Sequence, residues 1–160
     1  MRNSTIKLTR SAIIAALYVA LTYVSAVFGL SSGVIQFRIS EALCILPIFF
    51  PEAIAGLTLG CFLANLLTGA AVWDLIFGAL ATFIGAALAG LMRHLPEKLK
   101  WLATIPTVFS NAIIIPFVLI YAYEVPDSYF FLLATVGLGE LVCAGFLGSA
   151  LYYVLRKYIR

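Results

Sequence analysis

Apolar residues run almost unbroken through this chain, and polar residues separate the runs instead of alternating with them. Runs of that kind favour membrane helices over the alternating strands of a barrel. Residues 11–30, 73–92 and 101–122 each suffice for one crossing, which takes about 20 apolar residues. A fourth long run, about 128–155, follows the turn-like EVPD at 124–127. The remaining stretch, 39–68, is interrupted by Pro51-Glu52, a pairing that suits a tight reversal into a helix. Divided there, it completes six predicted helices, at about 8–30, 39–50, 52–68, 73–92, 101–122 and 128–155, in a single transmembrane domain over 1–160.

The cations test that division. Of ten Lys and Arg, nine fall in three clusters: Arg2, Lys7 and Arg10; Arg93, Lys98 and Lys100; Arg156, Lys157 and Arg160. Cationic clusters mark the cytoplasmic side, so an even number of spans should separate each pair of clusters. Residues 39–68 read as one span would leave six clustered cations outside; read as two, they place every cluster inside. The expected fold is an all-α integral membrane six-helix bundle in the plasma membrane, with both termini cytoplasmic. A cleavable leader ending near Val24-Ser25-Ala26 is disfavoured, because five remaining spans would spoil the parity. Residues 39–50 would rise only about 18 Å as an α-helix, against a hydrocarbon core of about 30 Å. Irregular backbone must complete the crossing, and it is tolerated only inside protein or beside a watery cavity. The stretch GVIQFRISEALCILPIFFPEA, 33–53, is therefore expected to line a recess entered from outside.

Composition narrows the class further. The chain has 160 residues, 64% hydrophobic and 11% charged, too apolar to include an aqueous domain. The net charge of +3 does not indicate nucleic acid, because the basic residues sit at predicted membrane edges. Cys44, Cys61 and Cys143 lie in apolar runs without metal-ligand spacing and read as small packing residues. His94 sits in a polar loop with no metal partner nearby in the sequence. There is no GxxxxGK[ST], HExxH or GxSxG motif, so neither an enzyme nor an ATPase is expected, and no cofactor or metal.

Placing an ionisable group mid-membrane costs roughly 2.5–3.5 kcal/mol, so those retained are candidates for function. Glu140 is expected near the midplane, with Leu133, Gly137, Ala144 and Gly148 on its face. It either serves a ligand or bonds a neighbouring helix through Asn111 or Asn65. Arg38 and Glu41, three residues apart, either pair with each other or serve a ligand; Arg38 is the cation that breaks the charge rule. Asp74, after Trp73 at a helix start, reads most simply as an interfacial cap, and Asp127 before Ser128 as another. Phe37, Trp73, Tyr121, Tyr123 and Tyr129 cluster at the outer ends, where they could wall a flat ring. Ala12, Ala16 and Ala20 share one helix face, as do Gly56, Gly60 and Ala64. Stripes of small residues permit close approach, either within the bundle or to a partner.

VIQFRISEAL, LPIFFPEAIAGLTLGCFLANLLTG, WDLIFGALAT and Gly139-Glu140 together resemble the QueT-type family of queuosine-precursor transport proteins. These are substrate-binding S components of energy-coupling factor (ECF) transporters, and the alanine stripe resembles the AxxxA contact motif of S components. The resemblance implies six helices and an outward-facing pocket covered by the first external loop. It also implies three protein partners, a transmembrane coupling protein and two cytoplasmic ATPases, with the bilayer around them. The implied ligand is a 7-deazaguanine such as preQ1, preQ0 or queuine. Glu140 or Glu41 would then accept the ring's N–H edge, Arg38 and Gln36 would donate to O6, and Asn111 would orient the ring. Asp74 would meet an aminomethyl substituent, Phe37 and Trp73 would wall the ring, and Ala12, Ala16 and Ala20 would dock the coupling protein. Another small heterocycle or vitamin is the alternative ligand, and a self-sufficient ion-coupled carrier the alternative mechanism.

Overall fold

In the computed structural model, which describes residues 2–31 and 34–159, the apolar runs become helices; no strand occurs among the described residues. α1 spans Arg2–Val27, and a ten-residue 3-10 helix, Ile39–Ile48, follows it. α2 (Ala53–Leu67), α3 (Val72–Leu91) and α4 (Ile105–Ala122) come next, α4 entered through a 3-10 turn at Lys100–Thr104. The last run divides into α5 (Tyr129–Glu140), a π-helical turn (Leu141–Leu147) and α6 (Gly148–Leu155). Four segments are long and apolar enough to cross a membrane, Ser4–Val27, Val72–His94, Lys100–Ala122 and Tyr129–Leu155. Ile39–Ile48 and Ala53–Leu67 are shorter. These features make the chain a multi-pass membrane protein.

The short helix differs from its expected α form. A 3-10 helix rises about 2.0 Å per residue, so ten residues reach about 20 Å where an α-helix would reach about 15 Å. Pro47 contributes to the departure, since it lacks an N–H and disfavours α geometry in the residue before it. Residues Ser40 to Ile48 are all buried, so the helix runs through the interior of the bundle. Leu43, Cys44 and Leu46 pack there with Ile14 and Tyr18 of α1 and Leu57 and Cys61 of α2.

Small residues set the spacing around it. A Cβ on Gly60 would stand 2.8 Å from Tyr18 Cβ, and one on Gly56 would stand 2.5 Å from the Ser11 carbonyl. The α2 stripe is therefore internal packing against α1. Ala12, Ala16 and Ala20 point the other way and are exposed, while Ile14, Ala15 and Tyr18 face inward.

Contacts collect the basic clusters at one end. Arg10 pairs with Glu52 at 3.2 Å and lies over the Phe50 ring. Phe49 stacks on Tyr152 at 5.8 Å, and the Tyr152 hydroxyl bonds the Glu97 carbonyl at 3.0 Å. Arg160 and the side chain of Arg2 lie outside the described residues. Two expected caps are corrected. Ser128, not Asp127, caps α5 by accepting from the Phe131 N–H at 3.4 Å, and Asp74 caps nothing, because burial draws it into an ion pair.

Candidate functional site

Away from the basic end, residues 34–38, which lead into the short helix, turn Gln36 and Arg38 inward. The Phe37 N–H bonds the Leu30 carbonyl at 2.7 Å, and the Ile39 N–H bonds Ser25 Oγ at 3.2 Å. Thr22 donates to Ser40 Oγ at 2.7 Å. On the other side the Gln36 carbonyl rests on Gly139 so closely that any Cβ there would overlap it. The segment carrying Gln36 and Arg38 is thus fastened to α1 and to α5 next to Glu140.

That fastening aims Arg38 at α2 and α3. Its Nε donates to the Ser31 carbonyl at 3.3 Å, Nη1 to Asn65 Oδ1 at 3.2 Å and Nη2 to Asp74 Oδ2 at 3.5 Å. Three of its five N–H donors are engaged in these bonds. Asn65 also donates to the Asp74 carbonyl at 3.0 Å, tying the end of α2 to the start of α3. Arg38 and Asp74 are both buried, so neither tolerates loss of the other. The plain Arg38–Glu41 pair considered from sequence does not form.

Tyr123, just past α4, completes the arrangement. Its hydroxyl donates to Asp74 Oδ2 at 3.2 Å and accepts from the Ala71 N–H at 3.0 Å. Partial burial and the neighbouring Asp74 carboxylate raise its pKa above the usual phenol value. Beside these groups opens a cavity of about 460 Å³ whose walls include Thr22, Gln36, Arg38, Asn65, Asp74 and Tyr123. That volume suits a small molecule.

The other expected site residues lie elsewhere. Glu41, Asn111 and Glu140 are buried but form no part of the cavity wall. Glu41 takes the Tyr18 hydroxyl on Oε1 and the Cys44 thiol on Oε2 at 3.2 Å, so Cys44 is more than packing. Glu140 faces Asn111 of α4, yet its Oε2 and Asn111 Nδ2 are both buried without a conventional hydrogen bond. The Oγ1 atoms of Thr82 and Thr107 are left in the same condition. Asn65, the other neighbour proposed for Glu140, is committed to Arg38 and Asp74. Phe37 is half-buried and off the cavity wall. Trp73 is exposed and stacked on Phe77 at 5.7 Å, in an apolar groove it shares with Phe117 and Tyr121. Tyr129 packs against the Phe117 ring at 4.6 Å, tilted by 40°, instead of walling the cavity.

Two cavity residues, Asn65 and Tyr123, carry more than sequence reasoning assigned them. Asn65 was a polar residue near the end of an apolar run, and Tyr123 one aromatic among several. Among the described residues no group of three or more His, Cys, Asp or Glu could hold a metal.

Comparison with known proteins gives a consistent picture. The queuosine precursor transporter QueT of Lactococcus lactis subsp. cremoris (strain MG1363) is 37% identical over 91 residues, 57% of this chain and 53% of the relative. The match thus spans about half the relative's length. No solved structure matches the chain. The sequence profile described as QueT transporter matches residues 8–157, nearly the whole chain, and on that extent the chain belongs to the QueT transporter family.

Proposed function

We propose that this chain is the membrane-embedded binding subunit of an ATP-driven uptake transporter of the energy-coupling factor type, and that its ligand is a 7-deazaguanine queuosine precursor. The observation that carries the reading is the cavity beside Arg38, Asp74, Asn65 and Tyr123, at the end of the bundle away from the basic clusters. With six crossings and both termini in the cytoplasm, that cavity opens outward. The name of the Lactococcus relative supplies the ligand class.

The chemistry of the wall suits such a ring. Guanine-type bases present O6 as acceptor and an exocyclic amino group as donor. Arg38 and Gln36 donate to O6, and Asp74 accepts from an aminomethyl group, with Tyr123 alongside. Glu140, Glu41 and Asn111 are buried outside the wall of that cavity. A buried polar atom without a partner costs about 1–3 kcal/mol, and Glu140 Oε2 and Asn111 Nδ2 are left in that state. A ring that enters deeply supplies the missing partners, with its adjacent N–H groups on the Glu140 carboxylate. Energy comes from partners, since the sequence has no phosphate-cradling motif. The exposed Ala12, Ala16 and Ala20 stripe is the docking face for the coupling protein.

Thermal unfolding of the purified protein with preQ0, preQ1, queuine, riboflavin and biotin tests the ligand. Stabilisation by a 7-deazaguanine at micromolar concentration is expected. Stabilisation by riboflavin or biotin alone would reassign the cavity, and uptake by this chain alone in liposomes without ATP would replace the mechanism by a carrier.

A further inference from the structure

The basic end carries a second cavity, about 810 Å³, lined by Lys100, Arg156, Lys157 and Glu97, with Ile48 and Phe49 as an apolar wall. Three cations thus face one carboxylate. Glu97 is already engaged by the Lys100 ammonium and by the Tyr152 hydroxyl at 2.9 Å, and the Lys100 bond holds its carboxyl below the usual carboxylate range. Among the described residues neither Arg156 nor Lys157 has a carboxylate at ion-pair distance. The Arg156 guanidinium lies over the Tyr153 ring at 4.6 Å, which holds it at this end of α6.

The surroundings fix the depth. Trp101, Tyr153 and Tyr158 are exposed large aromatics at the same end, the residue types that gather where hydrocarbon meets headgroups. A cationic recess at that depth, with Ile48 and Phe49 at its back, matches a ligand that is anionic at one end and apolar at the other. Basic pockets between membrane helices take phosphate headgroups by this combination. We propose that this cavity binds the headgroup of an anionic phospholipid from the leaflet on the basic side. The site is independent of the transport reading, because it shares no residue with the outer cavity.

Inorganic phosphate offers the same charge without the tail, and an acidic protein segment the same charge without a lipid. The test titrates purified protein in neutral detergent with dioctanoyl phosphatidylglycerol, dioctanoyl phosphatidylcholine or inorganic phosphate, and follows thermal unfolding. Phosphatidylglycerol is expected to raise the midpoint and the other two to leave it unchanged. R156Q/K157Q is expected to raise the half-saturating phosphatidylglycerol concentration about tenfold. R93Q/K98Q, which removes equal charge from outside the cavity wall, is expected to shift it less than about twofold. Equal loss in both variants would mean a diffuse field and overturn the site. Phosphatidylcholine or inorganic phosphate matching phosphatidylglycerol would overturn the ligand. Indifference to phosphatidylglycerol would overturn it too and turn attention to an acidic protein partner. Native mass spectrometry of the unmutated protein gives a second reading, with preferential retention of phosphatidylglycerol expected and equal retention of both lipids against the proposal.

Discussion

Arg38 is a buried cation whose charge is balanced by Asp74, a residue 36 positions away that also takes the Tyr123 hydroxyl. Removing one member of a buried pair leaves an uncompensated charge, at a cost of about 3–5 kcal/mol. Asp74→Ala should therefore lower stability by about that amount. Arg38→Met in the same chain should restore much of the loss, so that an unfolding double-mutant cycle shows strong coupling. Additive losses would show that the pair is not coupled. At Glu140 the expected outcome concerns binding: Glu140→Gln turns one acceptor into a donor facing ring donors, and should weaken deazaguanine affinity at least about tenfold. Calorimetric titration showing unchanged affinity would leave Glu140 a structural group. The sequence marked Arg38, Asp74 and Glu140 as out of place but could not pair them. Asp74 looked like a cap because Trp73 and a helix start adjoin it, whereas its partner comes from a distant loop. Tyr123 could not be singled out, since the value of its hydroxyl depends on which groups the fold brings within 3.2 Å.

The helices were legible because apolar runs and charge parity leave few alternatives; their internal irregularities were not. Nothing in the run 128–155 announces that regular α geometry stops at Glu140 and gives way to a π turn. Such turns recur at functional sites, and this one begins directly after the buried carboxylate. The contact between Gly139 and the Gln36 carbonyl was equally hidden, though both residues lie in the segments most like the family. It predicts a contrast between neighbouring glycines. Gly139→Ala should destabilise by about 1–3 kcal/mol through overpacking and loosen the Gln36 segment. Gly137→Ala, whose Cβ would meet Ala112 at an ordinary 3.6 Å, should be neutral or slightly stabilising. Thermal unfolding of the two variants makes the comparison, and equal behaviour would remove Gly139 as the anchor.

Across the molecule, polar groups line two cavities at opposite ends, while Glu41, Asn111 and Glu140 are buried outside both. The cavity walled by Arg38 lies at one end and the basic clusters at the other. The exposed alanine stripe of α1 offers a smooth flank between them. If that flank is where the coupling protein rides, Ala16→Leu should leave ligand affinity of the isolated chain unchanged. The same variant should reduce uptake several-fold in cells that supply the ATPases, and normal uptake would retire the assignment. The two stripes of small residues looked alike in sequence, and only packing distinguished them, α2 facing α1 and the alanines facing out. The short 3-10 helix has a consequence for biogenesis. Buried from Ser40 to Ile48 and shorter than the long apolar helices, it offers lipid no side on which to rest. Its packing partners include α3 and α6, so a newly made chain can bury it fully only once those later segments have arrived.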